Sequence, residues 1–248
     1  MTRLVRAELA KLRTVRLFYG VAAAMAAFGV LTVVANVTSA GQQGSPPLSA
    51  DDLPALVGAP ATMLSGAALL LGILGIAGEF RHHTITQTLL ATPDRGRVVA
   101  AKLVAYALAG IAVAALTLAV TTSVALPWMN AKGLSVSVLD GEVGHALAGT
   151  LLVAGLCGLV GVGVGALVRN QVAALVGVLV WVVVVEGLVL SLLNVPGLGK
   201  WLPSAAAAAL TNPGGGHLSR LAGGLLFAAY GLAFSVVGTR FVIRRDIT

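Results

Sequence analysis

Residues 151–193 read LLVAGLCGLVGVGVGALVRNQVAALVGVLVWVVVVEGLVLSLL, and this stretch decides the fold. Only Arg169 and Glu186 carry charge in it. Arg169-Asn170-Gln171 divides it into two apolar runs, each of about 20 residues, which is the length that crosses a hydrocarbon core ~30 Å thick. So tight a connection joins antiparallel neighbours. The stretch therefore predicts a helical hairpin across a membrane. Gly161 and Gly165 form a G-x-x-x-G pair, with Gly158 and Gly163 nearby. Small residues at this spacing let helix backbones approach, and helix packing is the reading they favour over any ligand role.

Four further apolar stretches have the same character. The six predicted spans are 17–37, 61–77, 103–126, 147–168, 172–193 and 221–239, with Pro60 interrupting the approach to the second. Of the 248 residues, 58% are hydrophobic and 10% charged, against about 45–50% and about 25% in soluble domains. No water-soluble fold of this length hides that much apolar surface. The predicted fold class is an all-α polytopic membrane protein, residues 1–248 forming a single transmembrane domain without an internal repeat. The single cysteine, Cys157, excludes an internal disulfide and a cysteine-rich metal site.

Charge sets the orientation. Five basic residues lie within the first 16, four between 81 and 102, Arg169 at the hairpin turn, and three at 240–245. Only Lys132, Lys200 and Arg220 fall on the other side. The positive-inside rule then places both termini in the cytoplasm. The apolar run after Arg16 is about 19 residues, longer than a typical signal-peptide core of 7–15. Val5, Leu9 and Leu12 recur at i, i+4, i+7 among basic residues, which predicts an amphipathic helix over 2–16 lying on the cytoplasmic face.

The connection 79–102 is the most informative. Thr92, Pro93 and Asp94 form a helix start, with Thr92 as cap, so the third helix begins about 10 residues before the membrane. Ile85 and Leu89, at i and i+4, make a short apolar patch that could face a cytoplasmic partner. Glu79 sits at the membrane edge, where Arg81 or an N-terminal arginine could pair with it. On the other side, Ser49 and Asp52 can cap a helix entering the second span. The connection 194–219 holds an alanine run that Ser204 can cap. It is too short to cross, and a re-entrant or interfacial helix anchored by Trp201 fits best.

Catalytic chemistry is sparse. There is no Walker A sequence and no H-E-x-x-H. Glu79 and His82 make a lone E-x-x-H, short of a di-metal set. No nucleic-acid surface is indicated, because the basic residues hug the membrane and aromatics are few. No catalytic, cofactor or metal site is expected in the chain. Glu186 remains, a carboxylate in a run of valines and leucines. An intramembrane charge costs about 2.5–3.5 kcal/mol on the insertion scale and is a functional candidate by default. Two readings stay open: a polar wall in a translocation path, or a hydrogen-bonded residue locking its helix to a neighbour or to the 194–219 segment.

The chain resembles the six-helix permease subunits of type 2 ATP-binding-cassette (ABC) exporters, in the actinobacterial style. The residues that carry the resemblance are Ala7-Glu8 with Lys11-Leu12, Glu79-Phe80-Arg81 with Thr84-Ile85, Thr92-Pro93 with Arg95 and Lys102, Arg169-Asn170-Gln171 with Ala173, and Trp201-Leu202-Pro203. It extends over essentially the whole chain, through the order of these motifs rather than any one of them. The resemblance implies an elbow helix containing Glu8 and Lys11, and a coupling segment with Glu79, Arg81, Ile85, Leu89 and Arg95. It also implies re-entrant helices before the sixth span. It further implies a bacterial plasma-membrane location, pairing with a second permease copy or paralogue, and two cytoplasmic ATPase subunits that hold ATP and Mg2+. Two rivals are a secondary transporter, which would carry ionisable residues at mid-membrane and internal symmetry, and a membrane scaffold, which would not need the 79–102 loop.

Overall fold

The computed structural model describes residues 1–42, 47–82, 84, 90, 94–134, 137, 141–188, 197–211 and 218–244. The regular elements among them are helical: α1 (Thr2–Thr14), α2 (Arg16–Ser39), α3 (Leu53–Gly58), α4 (Ala61–Arg81), α5 (Arg95–Ala131), α6 (Gly141–Val168), α7 (Gln171–Leu188), α8 (Pro203–Thr211) and α9 (Arg220–Arg244). Short 3-10 turns, Ala50–Asp52 and Leu198–Trp201, lead into α3 and α8. Six segments are long and apolar enough to cross a membrane, α3 and α4 together counting as one. The chain is a multi-pass helical membrane protein.

Each predicted span lies within or largely within one of these helices, and all but α7, described only to Leu188, overrun the apolar cores. The largest excess is in α5, whose 37 residues span roughly 55 Å at ~1.5 Å per residue, well beyond a ~30 Å hydrocarbon core. Its first turn is capped by Asp94, whose Oδ1 accepts the Arg97 amide at 3.1 Å. The cap is therefore Asp94, whose backbone is extended (φ −77°, ψ 91°), rather than Thr92, which with Pro93 lies outside the described residues. Before α3, the Ser49 amide and hydroxyl donate to Asp52 Oδ2 at 2.8 and 3.0 Å, so the two residues pair as their spacing predicts, but neither side chain caps α3 itself. Pro60 separates α3 from α4, and its carbonyl accepts the first bond of the new helix, from Leu64 at 2.9 Å. Between α6 and α7, Arg169 turns the chain at φ 54° and the Asn170 side chain accepts the Ala173 amide at 3.1 Å.

α6 is the central post. Its glycines approach a different neighbour on each side: a Cβ on Gly161 would strike the Leu69 carbonyl of α4, one on Gly158 the Tyr106 carbonyl of α5, and one on Gly149 the Leu210 carbonyl of α8. A Cβ on Gly163 would lie 2.7 Å from Phe234 backbone atoms of α9. In lipid, helices associate through such close packing rather than through hydrophobic exclusion. At the end of α5, the Lys132 ammonium donates to the Val37 carbonyl at 3.0 Å, meeting the last turn of α2, which holds no basic residue of its own. The spans least buried by the rest of the chain are α2 and α7.

Candidate functional site

Two groups of polar side chains are buried at opposite ends of the bundle. The first begins with spacing. On α4, Gly75 and Glu79 share a face at i, i+4; on α5, Lys102 and Tyr106 do the same. The two faces meet. Gly75 has no side chain because the Tyr106 ring occupies that space, and a Cβ there would strike the ring. Lys102 is fully buried. Its ammonium donates to Glu79 Oε1 at 2.7 Å, to Glu8 Oε2 at 2.8 Å and to the Gly75 carbonyl at 3.3 Å. Three donors thus meet three acceptors.

Glu8 comes from α1. The face of α1 expected to be apolar turns toward the protein: Leu12 is buried and Leu9 packs beside it, in the core that includes Val99 and Leu103 of α5. Glu8, one turn before Leu12, is carried inward with it and is 5% exposed. Lys11 closes the group, donating to Glu8 Oε1 at 2.8 Å and to Glu79 Oε1 at 2.9 Å, while its own side chain is 47% exposed. Two carboxylates and two ammonium groups thereby tie α1 to the ends of α4 and α5. Burial pushes the Glu8 carboxyl up, but Lys102 and then Lys11 outweigh it and hold the group below the ordinary carboxylate value. Burial pulls Lys11 down, and its bonds to Glu8 and Glu79 outweigh that, leaving it raised. Glu79 Oε2 is buried and accepts no hydrogen bond.

The expected partners of Glu79 are thus corrected: they are Lys11 and Lys102, not Arg81 or an arginine. Arg81 lies two residues on, roughly 200° around the helix at ~100° per residue, and its guanidinium faces Gln171 Oε1 at 3.5 Å. Beside it, Arg169 sits over the Phe80 ring, 5.2 Å from its centroid. The α6–α7 turn therefore docks on the end of α4. Arg95 opens α5, half-buried. Ile85 and Leu89 lie outside the described residues. Within the described part of the 79–102 segment, Glu79 and Lys102 join the ion cluster.

At the other end stands Glu186, 3% exposed. Its Oε1 accepts the Trp181 indole N–H at 3.1 Å, and its Oε2 accepts the Ser204 hydroxyl of α8. Residues five apart point roughly 140° apart on an α-helix. Here Trp181–Val185 form a π turn, whose i→i+5 periodicity brings Trp181 and Glu186 onto one side. Glu186 is thereby joined to α8, the contact that the second of the two readings describes. Ser204 does not cap α8, as its position suggested. Pro203 is the first helical residue and the Leu202 carbonyl accepts the first helical bond, from Ala206 at 2.9 Å. The Ser204 hydroxyl is left to reach across.

Sequence reasoning counted Lys102 as a positive charge and as part of the family resemblance but not as a site residue, and missed Trp181 as a partner. The available signal was the pair of i, i+4 spacings flanking the 79–102 loop. Compared with known proteins, the chain matches no family model and no curated protein.

Proposed function

We propose that this chain is the permease subunit of an ABC exporter in a bacterial plasma membrane, with both termini cytoplasmic. In this reading α1 is the elbow helix, residues 79–102 are the coupling segment, and α8 is a re-entrant helix at the outer face. Two copies of a separate cytoplasmic ATPase dock on the coupling segments of a pair of permeases, this chain with a second copy or a paralogue. ATP hydrolysis with Mg2+ on that partner supplies the work. Lipid and the second permease share the exposed faces of α2 and α7. Nothing in the reading calls for nucleic acid or for catalysis by the chain itself.

The observation that carries the reading is the ion cluster. It binds the N-terminal helix and both roots of the 79–102 segment into one body, and α5 continues from that body as a helix roughly 55 Å long. A load applied to the segment is transmitted to α1, α4 and α5 together. A secondary transporter, by contrast, would place its ionisable groups near the middle of the bundle, and this cluster lies at its end.

The test is purification of the tagged full chain from native membranes. The expected result is a co-purifying ATPase whose turnover the chain stimulates, both lost in Ile85→Asp/Leu89→Asp while the chain still inserts. A chain that transports with no ATPase bound, or a double variant that binds and couples normally, overturns the reading.

A further inference from the structure

α7 is attached in two unlike ways. Its first half packs on α4, with Ala174 fully buried beside Ile73 and Ala77. Beyond Val180 most of the described side chains are exposed. Val182, Val183, Val184 and Leu188 are 46–64% exposed, and Glu186 is the one buried side chain between Trp181 and Leu188.

The element Glu186 holds is itself closely packed. α8 is wedged between α6 and α9: Ala206 and Ala209 are fully buried, and a Cβ on Gly149 or Gly224 would press on Leu210. The turn before α8 is pinned by the Tyr230 hydroxyl, which donates to the Trp201 carbonyl at 2.8 Å. Among the described contacts, the part of α7 beyond the π turn meets α8 through the Glu186 carboxylate. Between this tie and the packed half lies the π turn Trp181–Val185, a departure from α-helical winding of the kind that recurs at functional sites.

The two donors to Glu186 differ in where they belong. Trp181 is on the same helix and travels with it. Ser204 is on α8 and does not. If the Ser204 bond breaks, the carboxylate keeps the indole N–H and is not left bare in an apolar setting, where an unpartnered charge is expensive.

We propose that Glu186 is the latch of a hinged half-helix: residues 181–188 of α7 pivot on the π turn, closed while Glu186 accepts the Ser204 hydroxyl and open when that bond breaks, parting α7 from α8. The motion rests on the exporter reading only for its purpose, which there is to open the path at the end opposite the ion cluster.

The experiment uses the full chain in lipid nanodiscs with Cys157→Ala, spin-labelled at Val183→Cys and Lys200→Cys, and reads the distance distribution by pulsed EPR. The parent gives one dominant short population. Ser204→Ala and Glu186→Leu each raise the ratio of long to short at least ~10-fold, the effect of losing one hydrogen bond to a charged group. Trp181→Phe, which removes the partner retained in the open form, lowers it. An unchanged distribution in folded Ser204→Ala overturns the latch, whatever Glu186→Leu does to folding. ATP-driven transport is measured separately on the assembled complex. A shifted distribution without such transport sinks the exporter reading and keeps the latch; transport with an unshifted distribution does the reverse.

Discussion

The ion cluster and the Glu186 clamp treat the same problem, charge buried in a membrane bundle, in opposite ways. At one end, Glu8, Lys11, Glu79 and Lys102 cancel one another in full, with contacts of 2.7–2.9 Å between opposite charges. At the other, a single carboxylate is met by two neutral donors at the start of a helix, where free amides favour negative charge. The first arrangement holds three helices and fails badly if any deeply buried member is removed. The second holds one contact between two helices and has a fallback partner. The difference teaches that the cluster is built to stay shut and the clamp to let go.

The comparison is broken most directly by paired substitutions. Lys102→Met leaves Glu8 and Glu79 facing each other with only half-exposed Lys11 between them. The expected loss is about 3–5 kcal/mol, the cost of stripping one partner from a buried ion pair, with release of α1. Glu186→Leu removes two hydrogen bonds but also the ~2.5–3.5 kcal/mol burden of an intramembrane charge, so its net effect on stability is smaller. Thermal unfolding of the two variants in one detergent checks the order; equal losses would erase the distinction.

Acidity sharpens it next. Because Glu8 is held below its ordinary value, its contribution is full above the ordinary carboxylate range and is lost as pH falls through the lowered value. Because Lys11 is raised, its contribution is full below the ordinary amine range and is lost as pH rises through the raised value. Between about pH 5 and pH 10, docking of α1 is therefore flat. A spin label at Arg6→Cys, with Cys157→Ala, is expected to report an immobile α1 throughout that window and a mobile one in stronger acid. A transition near neutrality would contradict the cluster's geometry.

The smallest effect separates the two lysines. Lys11 and Lys102 contact the same carboxylates, yet one is 47% exposed and the other 1%. Water screens the first, so Lys11→Ala is expected to cost about 0–1 kcal/mol by the same unfolding measurement. A loss as large as that of Lys102→Met would show that burial is not what ranks them.

The spans, their order and the hairpin turn at Arg169-Asn170-Gln171 were legible in the sequence because crossing a membrane demands length and apolarity, both local properties of the chain. The glycines of α6 announced close packing for the same reason, though not which neighbour each would meet. The apolar face of α1 was readable from Val5, Leu9 and Leu12, but nothing in that spacing gave Glu8 a partner. Glu8 and Lys102 stand 94 positions apart, and no periodicity connects them. Their pairing exists only once α1 folds back onto α5 and the Gly75–Tyr106 contact brings α4 alongside. Likewise a carboxylate among valines marked Glu186 as a residue needing partners, but the π turn that aims Trp181 at it and the wedge that presents Ser204 are products of packing. Local chemistry determined where the chain enters the membrane and which residues required explanation; the tertiary structure decided which charges meet, because a buried charge takes its partner from whatever the fold brings within about 3 Å.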